Sequence, residues 1–195
     1  MKILLVGSSG TIGSAVAQAL GARHEVLRAR HSGPGMTVDL ADPESIRRLY
    51  AQTGKVDAVV CAAGPCPFGP LLALSDADFA MGLASKLMGQ INLVRSGIES
   101  VTDGGSFTLT TGILARKPMP GGAVASVANA GLEGFARAAA IELPRGLRIN
   151  VAAPGWITET LIALKMDPSG GTPAAQAAQF YVKAVEGSMT GQIID

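Results

Sequence analysis

The sequence predicts an α/β fold, a doubly wound parallel sheet of about seven strands with helices on both faces. Short apolar runs alternate along the chain with segments whose apolar residues recur at helical spacing. Three glycines, spaced G-x-x-G-x-x-G, stand where the first apolar run gives way to the first helical segment. Candidate ligand-binding residues follow several strands, and a parallel sheet gathers such residues at the carboxyl ends of its strands.

Composition narrows the class of protein. The 195 residues are enough for one domain with a substantial core, and residues 1–195 contain no linker or repeat. A net charge of +1 with 16% charged residues argues against a nucleic-acid partner. No apolar run approaches the roughly 20 residues of a membrane span. Cys61 and Cys66 have no histidine cluster beside them, so we expect no metal, no disulfide framework and a reducing, cytoplasmic location.

The first strand is predicted at Lys2–Val6 and the first helix from Ser14 onward. Gly7, Gly10 and Gly13 between them permit a sharp turn and a close approach of a phosphate to the main chain. Free N–H groups at the helix start would then face the phosphate oxygens. We therefore expect a dinucleotide site here, and the alternative is a glycine-rich turn without a ligand.

Three further apolar runs predict strands at Val26–Ala29, Met36–Val38 and Asp57–Cys61. The third strand delivers Asp39 at its end. Asp42 followed by Pro43 is typical of a helix N-cap with proline in the first turn, and this helix runs through Tyr50. The fourth strand leads into the small-residue segment Ala62–Gly64.

The second half of the chain continues the alternation. A proline-rich loop from Pro65 to Leu74 precedes Ser75 and Asp78, which cap a long helix running through Leu93. Strands are predicted at Ser106–Thr110, Arg148–Ala152 and Gln192–Ile194. Helices are predicted at Ala123–Leu143, which is rich in alanine and glycine, and at Ala174–Val185.

The order of these motifs resembles the short-chain dehydrogenase/reductase family over nearly the whole chain. The glycine turn is similar to that family's cofactor loop, Cys61–Gly64 to its N-N-A-G segment, and Pro154–Ile157 to its P-G segment. The resemblance implies a single Rossmann-type NAD(P)-binding domain. Together with the charge pattern after the second strand, it predicts these cofactor-binding residues: Gly7, Ser9, Gly10, Thr11, Ile12, Gly13, Arg30, Ser32, Asp39, Leu40, Cys61, Ala62, Ala63, Gly64, Pro154, Gly155 and Ile157.

The residues after the second strand bear on the choice of cofactor. A cofactor without the 2′-phosphate usually meets an acidic residue there, which accepts hydrogen bonds from the ribose hydroxyls. Here the stretch offers Arg28, Arg30, His31 and Ser32, with no carboxylate. Because an arginine fork pairs well with a phosphate, the sequence favours NADP(H) over NAD(H). The alternative is a solvated arginine at a loop tip.

The catalytic positions depart from the family pattern. By the resemblance, the tyrosine position falls on Ala125 and the lysine position, four residues later, on Asn129. The asparagine position falls on Lys86, and the serine position on Thr111 or, less favourably, Thr110. Lys86 and Asn129 are thus exchanged relative to the family. We predict Thr111, Lys86 and Asn129 as catalytic residues.

A role for Lys86 follows from the chemistry of a buried amine. A partly desolvated lysine has a lowered pKa and can serve as a proton donor, while Thr111 hydrogen-bonds the substrate oxygen. The alternative is that Lys86 only binds ribose hydroxyls or points into solvent. Neither tyrosine is expected to replace the missing acid, because Tyr50 and Tyr181 both fit packing positions. The apolar lid candidates are Leu161, Ile162, Leu164, Phe180 and Tyr181.

Two function hypotheses remain open. The first is an NADP(H)-dependent oxidoreductase acting on a small carbonyl or alcohol substrate, with an altered proton-transfer group. The second is an NADP(H)-binding protein without catalysis, acting as a sensor or interaction partner. The resemblance further implies a homodimer or homotetramer built on the two long helices.

Overall fold

The computed structural model describes residues 1–195 and contains a single seven-stranded sheet. All paired strands are parallel, and their order is β3-β2-β1-β4-β5-β6-β7. The strands are β1 (Lys2–Val6), β2 (Glu25–Arg30), β3 (Met36–Thr37), β4 (Val56–Cys61), β5 (Val101–Thr110), β6 (Arg148–Ala152) and β7 (Ile193–Ile194). The doubly wound α/β fold predicted from the sequence is confirmed.

Seven α-helices connect and cover these strands. They are α1 (Thr11–Gly21), α2 (Pro43–Thr53), α3 (Asp76–Gly82), α4 (Gly89–Gly97), α5 (Ala123–Ala139), α6 (Thr158–Ala163) and α7 (Ala174–Glu186). A π-helical segment, Leu83–Met88, joins α3 to α4, and short 3₁₀ turns lie at Leu71–Ala73, Ile98–Ser100 and Ile113–Ala115. Each of the helices is too short or too polar to cross a lipid bilayer.

Successive side chains of β1 point to opposite faces of the sheet, and each face has its own core cluster. Leu4 lies in the cluster that α2, α4 and α5 cover, whereas Ile3 and Leu5 lie in the cluster that α1 and α7 cover. Both faces of β1 are fully buried, as expected for a central strand of a parallel sheet. The strand order reverses at β1, which pairs with β2 on one side and β4 on the other, so the crevice for a ligand lies at their carboxyl ends.

The long helix predicted from Ser75 through Leu93 is divided in the structure. The capping box forms as expected, because the Ser75 hydroxyl accepts from the Asp78 N–H at 3.2 Å and the Asp78 carboxylate accepts from the Ser75 N–H at 2.8 Å. Regular α-helix ends at Gly82 and resumes at Gly89. Between them, the Lys86 carbonyl accepts a hydrogen bond from the Gln90 side chain at 3.2 Å. Single-turn π segments of this kind are frequent at functional sites.

Two other boundaries differ from the prediction by four or more residues. Strand β5 begins at Val101, five residues before the predicted Ser106, because it continues across Gly104 with a register shift against β4. Helix α5 ends at Ala139 rather than Leu143, since residues 140–143 form tighter turns ahead of Pro144. The sequence also missed α6, whose Glu159 carboxylate accepts from the Ala174 N–H and so caps α7.

Candidate functional site

The glycine turn brings α1 directly onto the end of β1. Gly7 has a φ of +84°, and a Cβ there would lie 2.6 Å from the Ala62 carbonyl oxygen. A Cβ on Gly13 would overlap the Gly7 carbonyl, so only glycine allows this packing. Gly10 caps α1 without a side-chain hydrogen bond, and the first turn contains no acidic residue. The N–H groups of this turn are therefore free to bind an anion.

Three adjoining cavities run along the carboxyl ends of the strands, and Gly64 lines all of them. The outer cavity, of about 530 Å³, lies between the glycine turn and Asp39. The middle cavity, of about 520 Å³, lies beside Thr11 and Thr160. The inner cavity, of about 220 Å³, is bounded by Thr111, Asn129 and Trp156. Together they form a continuous cleft at the predicted edge of the sheet.

Most of the predicted cofactor residues line this cleft. The outer cavity includes Gly7, Ser9, Gly10, Asp39, Leu40, Ala62, Ala63 and Gly64. The middle cavity adds Thr11 and Ile12, and the inner cavity adds Pro154 and Gly155. The sequence offered no signal for Met81 and Ser85, which line the outer cavity because the α3 helix and the π segment pass over it.

Five predicted cofactor residues do not line the three cavities, namely Gly13, Arg30, Ser32, Cys61 and Ile157. Gly13 lies beneath the Gly7 carbonyl. Cys61 is fully buried, with its Sγ 3.9 Å from the Ala63 carbonyl oxygen, and Ile157 is buried against Ala174 and Ala177. The side chains of Cys61 and Ile157 therefore belong to the core, and only their main chains are near the cleft.

The last residue of β2, Arg30, and the loop that follows it carry the predicted phosphate-binding residues. The Arg30 side chain extends beside Gly33, and its Nε has no hydrogen-bond partner. Ser32 is exposed in the same loop, and the exposed His31 lines the outer cavity. Asp39, on the opposite side of that cavity, accepts from the Ala41 N–H at 2.9 Å through one carboxylate oxygen. Its other oxygen has no protein partner and is available to a ligand.

The three predicted catalytic residues come together at the inner cavity. Lys86, Thr111 and Asn129 all line it, and Ala125 lines it one helical turn before Asn129. Thr111 is 5% exposed and Asn129 is 4% exposed. Neither Oγ1 of Thr111 nor Oδ1 of Asn129 has a hydrogen-bond partner within the protein. Because buried polar atoms are rarely left unpaired, this pair of atoms indicates a ligand position.

Burial controls the electrostatics around Lys86. Desolvation lowers the pKa of the Lys86 amine below its usual range, and no carboxylate lines the inner cavity to oppose that shift. Burial raises the pKa of the Cys66 thiol, which lines the same cavity, and raises that of Cys61 to about 11. Both thiols are therefore protonated at neutral pH. Of these three groups, only Lys86 has a pKa that burial shifts toward neutral pH.

The hydroxyls of Thr110 and Tyr181, near the inner cavity, are engaged in hydrogen bonds within the protein. The Thr110 hydroxyl hydrogen-bonds the Cys61 carbonyl and lies 2.7 Å from the Tyr181 hydroxyl. Tyr181 is fully buried, and that burial raises its pKa well above the usual range. Neither group is free for a substrate, which leaves Thr111 as the hydroxyl directed at the inner cavity.

Gln90 connects the elements that carry the candidate catalytic residues. This fully buried side chain accepts from the Thr110 N–H at 2.8 Å and donates to the Thr110 carbonyl at 3.0 Å. Its amide also donates to the Lys86 carbonyl. The residue therefore fixes the π segment against the end of β5, and with it the relative positions of Lys86 and Thr111. Nothing in the sequence marks Gln90 for this role, because a single polar residue within a helix gives no such signal.

The wall of the inner cavity is apolar and is formed by loops rather than by the predicted lid residues. Phe68 and Trp156 form an aromatic pair with ring centroids 6.2 Å apart, tilted by 52°. Ile113 and Leu114, from the turn after β5, complete the wall. Of the predicted lid residues, Leu161 and Tyr181 are buried in the fold, and none of the five lines this cavity.

A glycine turn leading into an uncapped helix, at the switch point of a doubly wound parallel sheet, defines a Rossmann-type dinucleotide-binding protein. More specifically, a family model described as Enoyl-(Acyl carrier protein) reductase matches residues 11–188. The chain belongs to the short-chain dehydrogenase/reductase family, an oxidoreductase family. The resemblance drawn from the sequence motifs is confirmed.

Individual relatives agree with this assignment. The crystal structure of the protein lin1944 from Listeria innocua is 46% identical and has a TM-score of 0.96, covering 100% of this chain and 98% of that one. A small-chain dehydrogenase in complex with NADPH is 25% identical, with a TM-score of 0.88 and coverage of 100% and 95%. The 3-oxoacyl-acyl-carrier-protein reductase of Rickettsia conorii is 28% identical over 172 residues, which are 79% of this chain and 71% of that protein.

Proposed function

We propose that the protein is an NADP(H)-dependent oxidoreductase that interconverts a small carbonyl compound and its alcohol. The observation that carries this proposal is the convergence of Lys86, Thr111 and Asn129 on the inner cavity, with two buried polar atoms left unpaired. That cavity continues into the cleft above the glycine turn, where we expect a dinucleotide to bind. A similar dehydrogenase has been described in complex with NADPH.

The residues of the cleft suit each part of NADP(H). The main-chain N–H groups at the start of α1 would bind the pyrophosphate, since Gly10 lines the outer cavity and caps the helix without a side-chain hydrogen bond. The unpaired carboxylate oxygen of Asp39 would accept from the adenine amino group. Arg30 and Ser32 would bind the 2′-phosphate, because the Nε of Arg30 has no partner in the protein.

When bound, the cofactor supplies a hydride with its electron pair to the carbonyl carbon, and the carbonyl oxygen takes up a proton to give the alcohol. The Thr111 hydroxyl, which lines the inner cavity, would donate a hydrogen bond to that oxygen and stabilise the charge that develops on it. The Lys86 ammonium, in the same lining, would deliver the proton. Asn129 offers an amide to orient the Lys86 amine or the substrate.

We expect purified protein to bind NADPH more tightly than NADH, and Arg30→Glu to weaken NADPH binding by about tenfold or more. The reversed charge would repel the 2′-phosphate, while NADH, which lacks that group, would be affected much less. Trp156 is the only tryptophan and lies in the cleft, so its fluorescence reports binding. Arg28→Glu is the matched control, because Arg28 is an exposed arginine two residues earlier in β2.

If Arg30→Glu and Arg28→Glu weaken NADPH binding equally, Arg30 acts only through the net charge of the protein. Failure to bind either nucleotide would contradict the proposed function as a whole.

A second candidate function is NADP(H) binding without turnover. The observation that favours it is Ala125, whose methyl group stands where the family resemblance places the phenol of a tyrosine. Tight NADPH binding without oxidation by any carbonyl compound would support that function instead.

We propose that the protein self-associates as a homodimer or homotetramer through α5. The outward face of this helix is exposed at Val127, Ala130, Gly134 and Ala138, so another helix can approach it closely. Sedimentation analysis should give a dimer or tetramer for the native chain and a monomer for Gly134→Glu. A Cβ at Gly134 meets no atom within 4 Å, so this substitution leaves the protomer intact. Gly21→Glu, equally unobstructed in α1, should not change the assembly.

A further inference from the structure

We propose that the substrate is an uncharged aryl aldehyde or aryl methyl ketone with a single ring, seated in the inner cavity. This inference rests on the proposed function and names its substrate class. It follows from the size of the inner cavity, the nature of its walls and the distribution of charge around it.

The size of the cavity favours a small substrate. The outer and middle cavities are assigned to most of the cofactor, and the inner cavity, of about 220 Å³, is left for the substrate and for the end of the cofactor that Pro154 and Gly155 would contact. An apolar cavity of about 150 Å³ accommodates benzene, whereas drug-sized ligands occupy roughly 300–1,000 Å³. The inner cavity lies between these values, so it accommodates a ring that carries a carbonyl group.

The walls favour a flat apolar group. Phe68 and Trp156 present tilted aromatic rings, and Ile113, Leu114 and Ala125 supply aliphatic surface. An aromatic substituent gains offset or edge-to-face contacts with such rings in addition to the burial of its apolar area. The hydrogen-bonding side chains in the lining include Lys86, Thr111 and Asn129, to which one carbonyl oxygen could bind.

The charge distribution around the inner cavity restricts which charged groups the substrate can carry. Lys86 is the one cationic side chain lining the inner cavity, and no acidic side chain lines it. A cationic substrate would be repelled by Lys86. A carboxylate would have to be desolvated beside apolar walls, and Lys86 is the one charged group in the lining to offset that cost. A single carbonyl oxygen needs only the hydrogen-bond partners that the lining supplies, so we expect an uncharged substrate.

Ala125 provides a direct steric test, because it is 5% exposed and its methyl group lines the cavity. NADPH oxidation would be followed with benzaldehyde, acetophenone, cyclohexanecarbaldehyde, pyruvate and acetoacetyl coenzyme A. We expect kcat/KM for the two aryl compounds to exceed that for pyruvate and the thioester by about tenfold or more. Ala125→Phe should abolish acetophenone turnover, and Ala125→Val should reduce it, with unchanged NADPH affinity. Leu72→Phe, at a fully exposed position, is the control.

Binding is measured separately from turnover. Acetophenone should quench Trp156 fluorescence in the protein saturated with NADP⁺, and Ala125→Phe should abolish the quenching. A preference for pyruvate or the thioester, or acetophenone binding that is insensitive to both Ala125 variants, would overturn the substrate class while the proposed function stands. An absence of acetophenone quenching in protein that binds NADP⁺ would also overturn it. Absence of nucleotide binding would instead defeat the proposed function.

Discussion

Replacing Lys86 with methionine is expected to lower kcat for carbonyl reduction by about 10²- to 10⁴-fold, the range typical of a lost general acid. The substitution removes the ammonium that lines the inner cavity beside Thr111 and Asn129. We do not expect either nearby thiol to replace it, because Cys61 is fully buried and burial raises the pKa of the Cys66 thiol, which makes it a poorer proton donor than an ordinary thiol.

The methionine variant should retain the fold and the cofactor site. The stem of Lys86 packs against Gly64, where an added Cβ would lie 3.1 Å from the Lys86 Cβ and 3.3 Å from its Cγ. Methionine keeps these two carbons and has nearly the same length. We therefore expect the NADPH dissociation constant, measured by Trp156 fluorescence, to change by less than about threefold.

The pH profile of kcat provides an independent signature. A proton donor must be protonated, so the rate of reduction is constant at low pH and falls as the pH rises through the pKa of Lys86. Desolvation lowers that pKa, which places the fall below the usual lysine range. This fall of kcat at high pH should be absent from Lys86→Met. In Lys86→Arg it should also be absent, since a guanidinium stays protonated throughout.

Lys55→Met is the matched control, because the Lys55 amine donates only to the Glu99 carbonyl on the far side of the fold. It should leave kcat unchanged. If Lys86→Met instead preserves kcat and weakens NADPH binding, Lys86 serves only to bind the ribose hydroxyls.

The sequence predicted the order of elements and the edge of the sheet that forms the cleft, for local physical reasons. The G-x-x-G-x-x-G spacing between an apolar run and a helical segment determines how α1 packs on β1, and Gly7 and Gly13 now show the contacts that require glycine. Asp39 and Ala62–Gly64 lie in the outer cavity because parallel strands place their carboxyl ends together. These features depend on neighbours in the chain or on sheet topology alone.

Other features depend on contacts between distant residues. The packing position of Tyr181 was predicted, but its hydroxyl meets Thr110, 71 positions away, and no local pattern reveals such a pair. The π segment around Lys86 looks like continuous helix in the sequence, since its apolar residues keep helical spacing. The Phe68–Trp156 wall joins two irregular loops whose conformations are set by the rest of the fold. For these residues, side-chain direction could not be inferred from spacing.

Replacing Gln90 with methionine is expected to lower the free energy of unfolding by about 3 kcal/mol and to impair catalysis as well. Methionine fills the same space but cannot hydrogen-bond Thr110. In the native protein the Thr110 N–H donates to Gln90 Oε1 at 2.8 Å, and Gln90 Nε2 donates to the Thr110 carbonyl at 3.0 Å. An unpaired buried polar group costs about 1–3 kcal/mol, and here two are created together. The Lys86 carbonyl also loses its donor, which frees the π segment to shift relative to Thr111.

Urea unfolding followed by circular dichroism measures the stability, and Asn92→Ala is the matched control. Asn92 is an amide on the same helix, partly exposed and without a side-chain hydrogen bond, so its removal should cost less than about 1 kcal/mol. Gln90→Glu separates the two functions of the amide, because a carboxylate still accepts from the Thr110 N–H but cannot donate to either carbonyl. If Gln90→Met is no less stable than Asn92→Ala and keeps full kcat, Gln90 does not hold Lys86 and Thr111 in register.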